Sequence, residues 1–182
     1  MTQIRIHGRG GQGVVSAAEL IAIAAFNDGK QSQAFPSFGV ERTGAPIESF
    51  TRISNKPIRT REHIYEPDIL IIQDATLLDV IKVTRGCDEK TLVIINTTKN
   101  KNQLKIDLPA KNIYPVDATK IALDIIKKNI VNTVILGAFA KATGLVSLDG
   151  LKKAIKQKFA NKGKEIINKN IKAVEKAYSH SA

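Results

Sequence analysis

Hydrophobic and polar positions along the chain follow two patterns, short β-branched runs and longer runs with helical spacing. The strand-like runs are residues 3–7, 30–35, 47–53, 69–73, 92–96 and 113–116. The helix-like runs are residues 14–26, 75–82, 117–128 and 132–143. Strands that alternate with helices predict an α/β fold, a Rossmann-like domain whose mostly parallel sheet has helices on both faces.

The last segment, residues 151–182, differs from the rest in charge. Apolar residues recur there at helical spacing over 151–159 and 167–178, which predicts a C-terminal pair of amphipathic helices packed on the domain. The segment holds nine lysines against two glutamates. A solvated face is the simplest interpretation, and a docking surface for an acidic partner is the alternative. Nucleic-acid binding is a weak third, because the lysines come without arginine or a recognisable motif.

Composition is typical of one globular domain spanning residues 1–182. The chain is 43% hydrophobic and 25% charged, with a net charge of +11. No apolar run approaches the roughly 18 residues of a membrane span, and the first residues lack the apolar segment of a signal peptide. We therefore expect a cytoplasmic protein without membrane association. The single cysteine, Cys87, excludes a disulfide framework or an iron–sulfur cluster built by this chain alone.

A glycine-rich turn separates the first predicted strand from the first predicted helix. It consists of Gly8, Arg9, Gly10, Gly11, Gln12 and Gly13. This is the G-x-G-x-x-G pattern in its required strand–turn–helix context. Glycines let the backbone approach an anion, the free N–H groups of a helix start attract phosphate, and Arg9 adds a positive charge. The alternative is a tight turn that binds nothing.

The glycine turn does not by itself predict a dinucleotide-binding dehydrogenase. Such a site requires an acidic residue roughly 20 positions further on, at the end of the second strand. Residues 31–35 contain no carboxylate. The turn therefore predicts a site for phosphate or diphosphate rather than for a nicotinamide dinucleotide.

A second loop, residues 36–46, follows the second predicted strand. Its candidate ligand-binding residues are Ser37, Phe38, Gly39, Glu41 and Arg42. The forked guanidinium of Arg42 suits phosphate or carboxylate. Loops at the carboxyl ends of parallel strands line the ligand crevice of such sheets, which favours a functional role. A local surface pair between Glu41 and Arg42 is the alternative.

The segments GRGGQGVV and AFPSFGVERTGAPIESFTRI together resemble the gamma subunit of 2-oxoacid:ferredoxin oxidoreductases, most closely the pyruvate:ferredoxin oxidoreductase (pyruvate synthase) type. The resemblance covers essentially the whole chain. One departure is Thr43, where many relatives carry a second arginine, so this loop has one cation fewer.

The resemblance implies a subunit of a complex that converts pyruvate and coenzyme A to acetyl-CoA, CO2 and reduced ferredoxin. It implies partner subunits of alpha, beta and delta type that hold thiamine diphosphate, magnesium and iron–sulfur clusters, with ferredoxin as electron acceptor. For this chain it implies coenzyme A binding at the two loops, support of assembly and no catalytic residue.

Three alternatives remain open at this point. The first is a complex acting on another 2-oxoacid, such as 2-oxoisovalerate. The second is a regulatory module that senses a free nucleotide, and the third is an assembly scaffold whose loops bind nothing.

Overall fold

A six-stranded sheet forms the centre of the computed structural model, which describes residues 1–37 and 42–180. The strands are β1 (Thr2–Arg9), β2 (Gln31–Pro36), β3 (Pro46–Ser54), β4 (Ile69–Ile72), β5 (Leu92–Asn96) and β6 (Ile113–Val116). Their order in the sheet is β2-β3-β1-β4-β5-β6. Strands β1, β4, β5 and β6 are parallel, whereas β3 runs antiparallel to both β1 and β2. The mostly parallel α/β sheet is thus confirmed.

The α-helices of the described residues all lie on one face of the sheet. They are α1 (Val14–Asn27), α2 (Ala118–Ile121), which continues as a π-helical turn over Ala122–Ile126, α3 (Val131–Thr143), α4 (Leu148–Lys158) and α5 (Lys164–His180). Alternate residues of β1 and β4, such as Ile6 and Ile71, meet them in one core. Helix α4 packs on α1, and α5 packs on α3. The predicted C-terminal helical pair is therefore confirmed.

Short 3-10 turns and irregular chain cover the other face of β4, β5 and β6. The turns are Ala75–Asp79, Lys101–Gln103 and Ala110–Asn112, and a further turn, Ala160–Lys162, connects α4 to α5. Leu70 and Val93 pack on this second face against Leu77 and Val83. Residues 75–82, predicted as a short helix, form only the turn over Ala75–Asp79. The helical layer expected here is made of these turns instead.

The buried side chain of Arg5 explains why the chain on this second face stays irregular. Its guanidinium donates hydrogen bonds to the carbonyls of Ile64, Tyr65, Val83 and Arg85. Because those carbonyls are bound by Arg5, two connecting segments are held against β1 without a regular element of their own.

Helices α3 and α5 run in the same direction at very short distance. A Cβ atom at Gly137 would lie 2.2 Å from the carbonyl oxygen of Val174, so the two backbones touch where glycine has no side chain. One turn further along, the Lys141 Nζ lies 5.4 Å from the centre of the Tyr178 ring. The amino ends of α3 and α5 therefore lie at the same end of the molecule.

The helices of the described residues, 1–37 and 42–180, include none with the length and apolar character that a membrane span requires.

Candidate functional site

The glycine turn lies at the carboxyl end of β1 and leads directly into α1. Gly11 and Gly13 have φ angles of 91° and 72°, which favour glycine. Gly13 is the N-cap of α1, where no side chain caps the helix and no acidic residue stands in the first turn. In the glycine turn and the first residues of α1, five backbone N–H groups have no hydrogen-bond partner among the described residues. They are those of Gly11, Gly13, Val14, Val15 and Ser16. Open N–H groups at the positive end of a helix dipole suit an anion.

The second loop is held against the glycine turn by backbone hydrogen bonds. The N–H of Gly10 donates to the carbonyl of Ala45 at 2.8 Å, and the N–H of Gly44 donates to the carbonyl of Gly10 at 3.0 Å. A Cβ atom at Gly10 would lie 2.2 Å from the carbonyl oxygen of Arg42. The fold thus brings together two segments that the sequence singled out separately.

Arg9 uses its guanidinium to fasten this junction. Its Nε donates to Asp74 Oδ2 at 3.1 Å, and its two terminal nitrogens donate to the Gly44 carbonyl at 3.1 Å and to Thr76 Oγ1 at 2.7 Å. Gln12 joins the same cluster, because its Nε2 donates to Asp74 Oδ2 at 3.0 Å and its Oε1 accepts from the Arg9 N–H at 2.8 Å. Arg9 and Gln12, both candidate ligand-binding residues, therefore have a structural task in this geometry.

Asp74 has two tasks at the end of β4. Its Oδ1 accepts from the Thr76 N–H at 3.0 Å and caps the following turn. Its Oδ2 holds Arg9 and Gln12. Burial alone raises the pKa of this carboxyl, but hydrogen bonds from Thr76 and Gln12 and the charge of Arg9 outweigh it, so the pKa lies below its ordinary value.

Arg42 differs from Arg9 in having a free head group. Its side chain is exposed, and its guanidinium has no hydrogen-bond or ion-pair partner among the described residues. Ser37 begins the same loop at the carboxyl end of β2, where its N–H donates to the carbonyl of Glu48 at 3.1 Å. The other candidates of this loop, Phe38, Gly39 and Glu41, lie outside the described residues.

The strand order bears on the dinucleotide alternative. Strand β2 runs in the same direction as β1, so the second loop leaves the sheet at the same edge as the glycine turn. However, β3 lies between β1 and β2. The carboxyl end of β2 is therefore one strand further from the glycine turn than in a dinucleotide fold, where these two strands are neighbours.

His7 is a buried residue of β1. Its Nε2 accepts from Arg5 Nε at 3.1 Å, so the neutral ring carries its proton on Nδ1, which lies 3.8 Å from Glu48 Oε1. Burial, with the charge of Arg5 added, lowers the pKa of His7 to about 3. The ring is thus uncharged near neutral pH.

Gln73 is a residue of this site that sequence reasoning missed. It follows β4, is 1% exposed, and neither atom of its side-chain amide has a hydrogen-bond partner among the described residues. Its Oε1 lies 3.3 Å from the place where a Cβ atom of Gly8 would stand, directly beneath the glycine turn. The signal available in the sequence was a polar residue that ends the otherwise apolar run ILIIQ.

Residues 3–180 match the profile of the family described as Pyruvate ferredoxin/flavodoxin oxidoreductase. The chain belongs to this family. Within it, the pyruvate synthase subunit PorC of Methanosarcina barkeri is 56% identical over 156 residues, which cover 86% of this chain and 85% of that protein. A subunit of Pyrococcus furiosus, the common subunit gamma of its pyruvate/ketoisovalerate oxidoreductases, is 51% identical over 180 residues, covering 98% and 96%.

The likeness extends to the fold. The crystal structure of the pyruvate oxidoreductase subunit PORC of Thermotoga maritima superposes with a TM-score of 0.82 at 37% identity, covering 98% of this chain and 95% of that one. The resemblance carried by the two loop segments is therefore confirmed. As a member of this oxidoreductase family, the chain is a gamma-type subunit of a multi-subunit enzyme of the pyruvate synthase and 2-oxoacid:ferredoxin oxidoreductase group.

Redox and metal chemistry have few ligands to draw on in this subunit. Its only cysteine, Cys87, is half-buried, and burial raises the pKa of its thiol. Within residues 1–37 and 42–180, no three His, Cys, Asp or Glu side chains are grouped to hold a metal ion. What the described site offers is open N–H groups and a free guanidinium, the chemistry of anion binding.

Proposed function

We propose that this subunit helps to bind coenzyme A for a pyruvate:ferredoxin oxidoreductase and supports the assembly of that complex, acting as one gamma-type domain over residues 1–182. The observation that carries the proposal is the uncapped amino end of α1, with the loop that carries Arg42 held against the glycine turn by backbone contacts. Coenzyme A carries a diphosphate and a ribose 3′-phosphate, the anionic groups that such a receptor attracts.

The complex converts pyruvate and coenzyme A to acetyl-CoA and CO2 and passes electrons to ferredoxin. Partner subunits of alpha, beta and delta type hold thiamine diphosphate with magnesium and the iron–sulfur clusters, which supply the carbanion and electron-transfer chemistry when bound. The contribution of this chain is to place coenzyme A for the reaction. By holding the phosphates at Gly11–Ser16 and Arg42, it brings the thiol to the acceptor, and such placement accelerates a reaction without an acid or base on this chain.

The test is the Arg42→Ala variant in the assembled complex. Loss of one charge-assisted hydrogen bond costs about 1.5 kcal/mol or more, so we expect the KM for coenzyme A to rise roughly tenfold. The KM for pyruvate stays unchanged, because pyruvate does not use this contact.

Arg61→Ala is the matched control. Arg61 is exposed and precedes Glu62, whose carbonyl accepts a hydrogen bond from Arg52. Arg52 pairs with Gln3 at the amino end of β1. Arg61 therefore lies at the opposite end of the strands from both loops. An unchanged KM for coenzyme A in Arg42→Ala, equal to that of the control, would remove Arg42 from the site.

A second candidate function is service to more than one 2-oxoacid oxidoreductase. It is favoured by the Pyrococcus furiosus relative, which is named as the subunit common to pyruvate and ketoisovalerate oxidoreductases. Complexes co-purified with this chain and assayed with pyruvate and 2-oxoisovalerate decide between a dedicated and a shared subunit. Calorimetry of the complex with coenzyme A, ADP and NAD tests the nucleotide-sensing alternative, which a preference for NAD would favour.

A further inference from the structure

A network of hydrogen bonds joins three distant parts of the chain at the carboxyl edge of the sheet. At its centre is Asp74, at the end of β4, whose side chain is 18% exposed. Its Oδ2 accepts from Arg9 Nε and Gln12 Nε2 in the glycine turn. Its Oδ1 accepts from the N–H of Thr76 at 3.0 Å and from the Thr76 hydroxyl at 2.6 Å. The two oxygens thus have separate tasks, because Oδ1 caps a turn and Oδ2 holds the glycine turn.

Arg9 extends this network to the second loop. Its guanidinium donates to Asp74 Oδ2 and to Thr76 Oγ1, and its other terminal nitrogen donates to the carbonyl of Gly44 at 3.1 Å. The guanidinium is planar and presents its donors in a fixed fork, so two anchored nitrogens determine where the third one points. Asp74 and Thr76 therefore set the place at which Arg9 holds Gly44.

Gly44 belongs to the tight turn that carries Arg42. The N–H of Ala45 donates to the carbonyl of Arg42 at 3.1 Å and closes this turn, in which Gly44 has a φ of 82°. The Arg42 carbonyl oxygen also lies against Gly10, 2.2 Å from where a Cβ atom would stand. Because a four-residue turn closed by a hydrogen bond moves as a unit, the position of Arg42 depends on the hydrogen bond between Arg9 and Gly44.

We propose that Asp74 is a positioning residue for the ligand of the two loops. Through Arg9 it sets the turn that carries Arg42, and Arg42 makes the contact with the ligand. This role rests on the proposed function, which assigns a contact with coenzyme A to Arg42. Among the described residues, no hydrogen bond or ion pair joins Asp74 to Arg42, so the effect of one on the other is indirect.

Asp74→Asn separates the two tasks of this side chain. The asparagine oxygen still accepts from the N–H of Thr76, so the turn keeps its cap. The amide nitrogen then takes the place of Oδ2, where it is a donor that faces the donors of Arg9 and Gln12. We therefore expect the chain to fold while Arg9 loses its anchor. A cooperative urea unfolding transition checks that the variant is folded.

Thr76→Val perturbs the same network from another side. It removes the hydroxyl that accepts from Arg9 at 2.7 Å and leaves the carboxylate of Asp74 in place. Thr76 is exposed, so the added methyl group has little effect on folding. We expect the same changes as in Asp74→Asn, but smaller ones, because the ion pair between Asp74 and Arg9 remains.

Asp88→Asn is the matched control. Asp88 also caps a turn, since its Oδ1 accepts from the N–H groups of Lys90 and Thr91 at 2.9 and 3.0 Å. It precedes β5 and so lies at the amino edge of the sheet, opposite both loops. The same change of carboxylate to amide at this position leaves the network of Asp74 intact.

The first measurement is the steady-state kinetics of the assembled complex. Asp74→Asn alone raises the KM for coenzyme A about fivefold and changes kcat by less than about twofold, because binding rather than the chemical step is impaired. Arg42→Ala, which alone raises the KM roughly tenfold, raises it less than about threefold in the Asp74→Asn background, where Arg42 has already lost its position. The KM of Asp88→Asn stays within about twofold of wild type.

The second measurement is amide hydrogen exchange of the complex without coenzyme A, followed by mass spectrometry. It reports on the junction itself, because the N–H groups of Gly10 and Gly44 donate across the two loops. Peptides that contain these residues exchange at least about threefold faster in Asp74→Asn than in wild type. In Asp88→Asn they exchange as in wild type.

Effects of Asp74→Asn and Arg42→Ala that multiply in the KM would overturn this role, since the two residues then act independently. So would an Asp74→Asn variant in which either the KM or the exchange rates are unchanged. If Arg42→Ala alone raises the KM and Asp74→Asn does not, only the positioning role fails. If Arg42→Ala alone leaves the KM unchanged, the proposed function of Arg42 fails as well.

Discussion

Arg9 and Arg42 lie in touching loops at the carboxyl edge of the sheet, but their side chains differ in hydrogen bonding. Arg9 donates to Asp74, Gly44 and Thr76, whereas Arg42 has no partner among the described residues. Both arginines belong to glycine-containing loops in the sequence, so the local pattern does not distinguish their roles. Only Asp74, 65 positions from Arg9, separates the anchoring arginine from the free one.

At the residue scale, His7 predicts a dependence of stability on pH. Its folded-state pKa of about 3 lies below the ordinary 6.5. Above pH 6.5 the ring is neutral in both states, and its contribution is complete. As the pH falls from 6.5 towards 3, the unfolded chain binds a proton that the folded chain refuses, so stability decreases by up to about 1.4 kcal/mol per pH unit.

The measurement is urea unfolding of the chain at several values between pH 7 and pH 4. His7→Gln shows a shallower loss of stability on acidification than wild type, because glutamine takes up no proton in this range. His63→Gln serves as control, since His63 is exposed. Parallel curves for wild type and His7→Gln would show that His7 is not the titrating group.

At the element scale, helices end at residues whose types favour a helix terminus, whereas the conformation of a helix interior did not always match the sequence pattern. Gly144 ends α3 with φ of 62°, and Ser147 caps α4, the residue types that favour these positions. The helix predicted over 117–128 instead passes from α2 into a π-helical turn that Lys127 ends with φ of 65°. Caps are read from neighbouring residues, whereas the register of an interior turn depends on what packs against it.

Ser147→Ala tests the cap of α4. The Ser147 Oγ accepts from the Gly150 N–H at 2.8 Å and donates to Asp28 Oδ1 at 2.6 Å, which also fixes α4 to the end of α1. We expect the free energy of unfolding to fall by about 1 kcal/mol in chemical denaturation. Ser179→Ala, an exposed serine near the end of α5, is the control and changes it by less than about 0.5 kcal/mol. Equal losses in the two variants would count against the cap.

At the scale of the whole molecule, charge is distributed unevenly. The net charge is +11, and the C-terminal helices hold most of the excess. Some lysines are neutralised locally, as Lys152 is by Glu175 and Lys158 by Glu19. Others on the same helices, such as Lys153 and Lys156, are exposed and have no partner among the described residues. Like charges that remain unpaired repel one another in the folded chain.

This repulsion predicts that salt stabilises the chain. Raising NaCl from about 0.05 to 0.5 M shortens the Debye length and screens the lysines. The Tm of the purified chain then rises by roughly 2–4 °C, the shift that about 1 kcal/mol produces at this size. Lys153→Glu/Lys156→Glu lowers the net positive charge and reduces the response. A Tm that is independent of NaCl would contradict the repulsion.

The sequence by itself determined the strands, the glycine turn and the family, because each of these depends on residues within a short stretch. The tertiary structure alone decided that β3 separates β1 from β2, that Arg9 is held by Asp74, and that Gln73 is buried beneath the glycine turn. It also decided that α1 and α3 meet at Gly13 and Asn132, 119 positions apart. The physical reason is range: periodicity and turn chemistry act between neighbours, whereas these contacts form only when distant segments pack into one core.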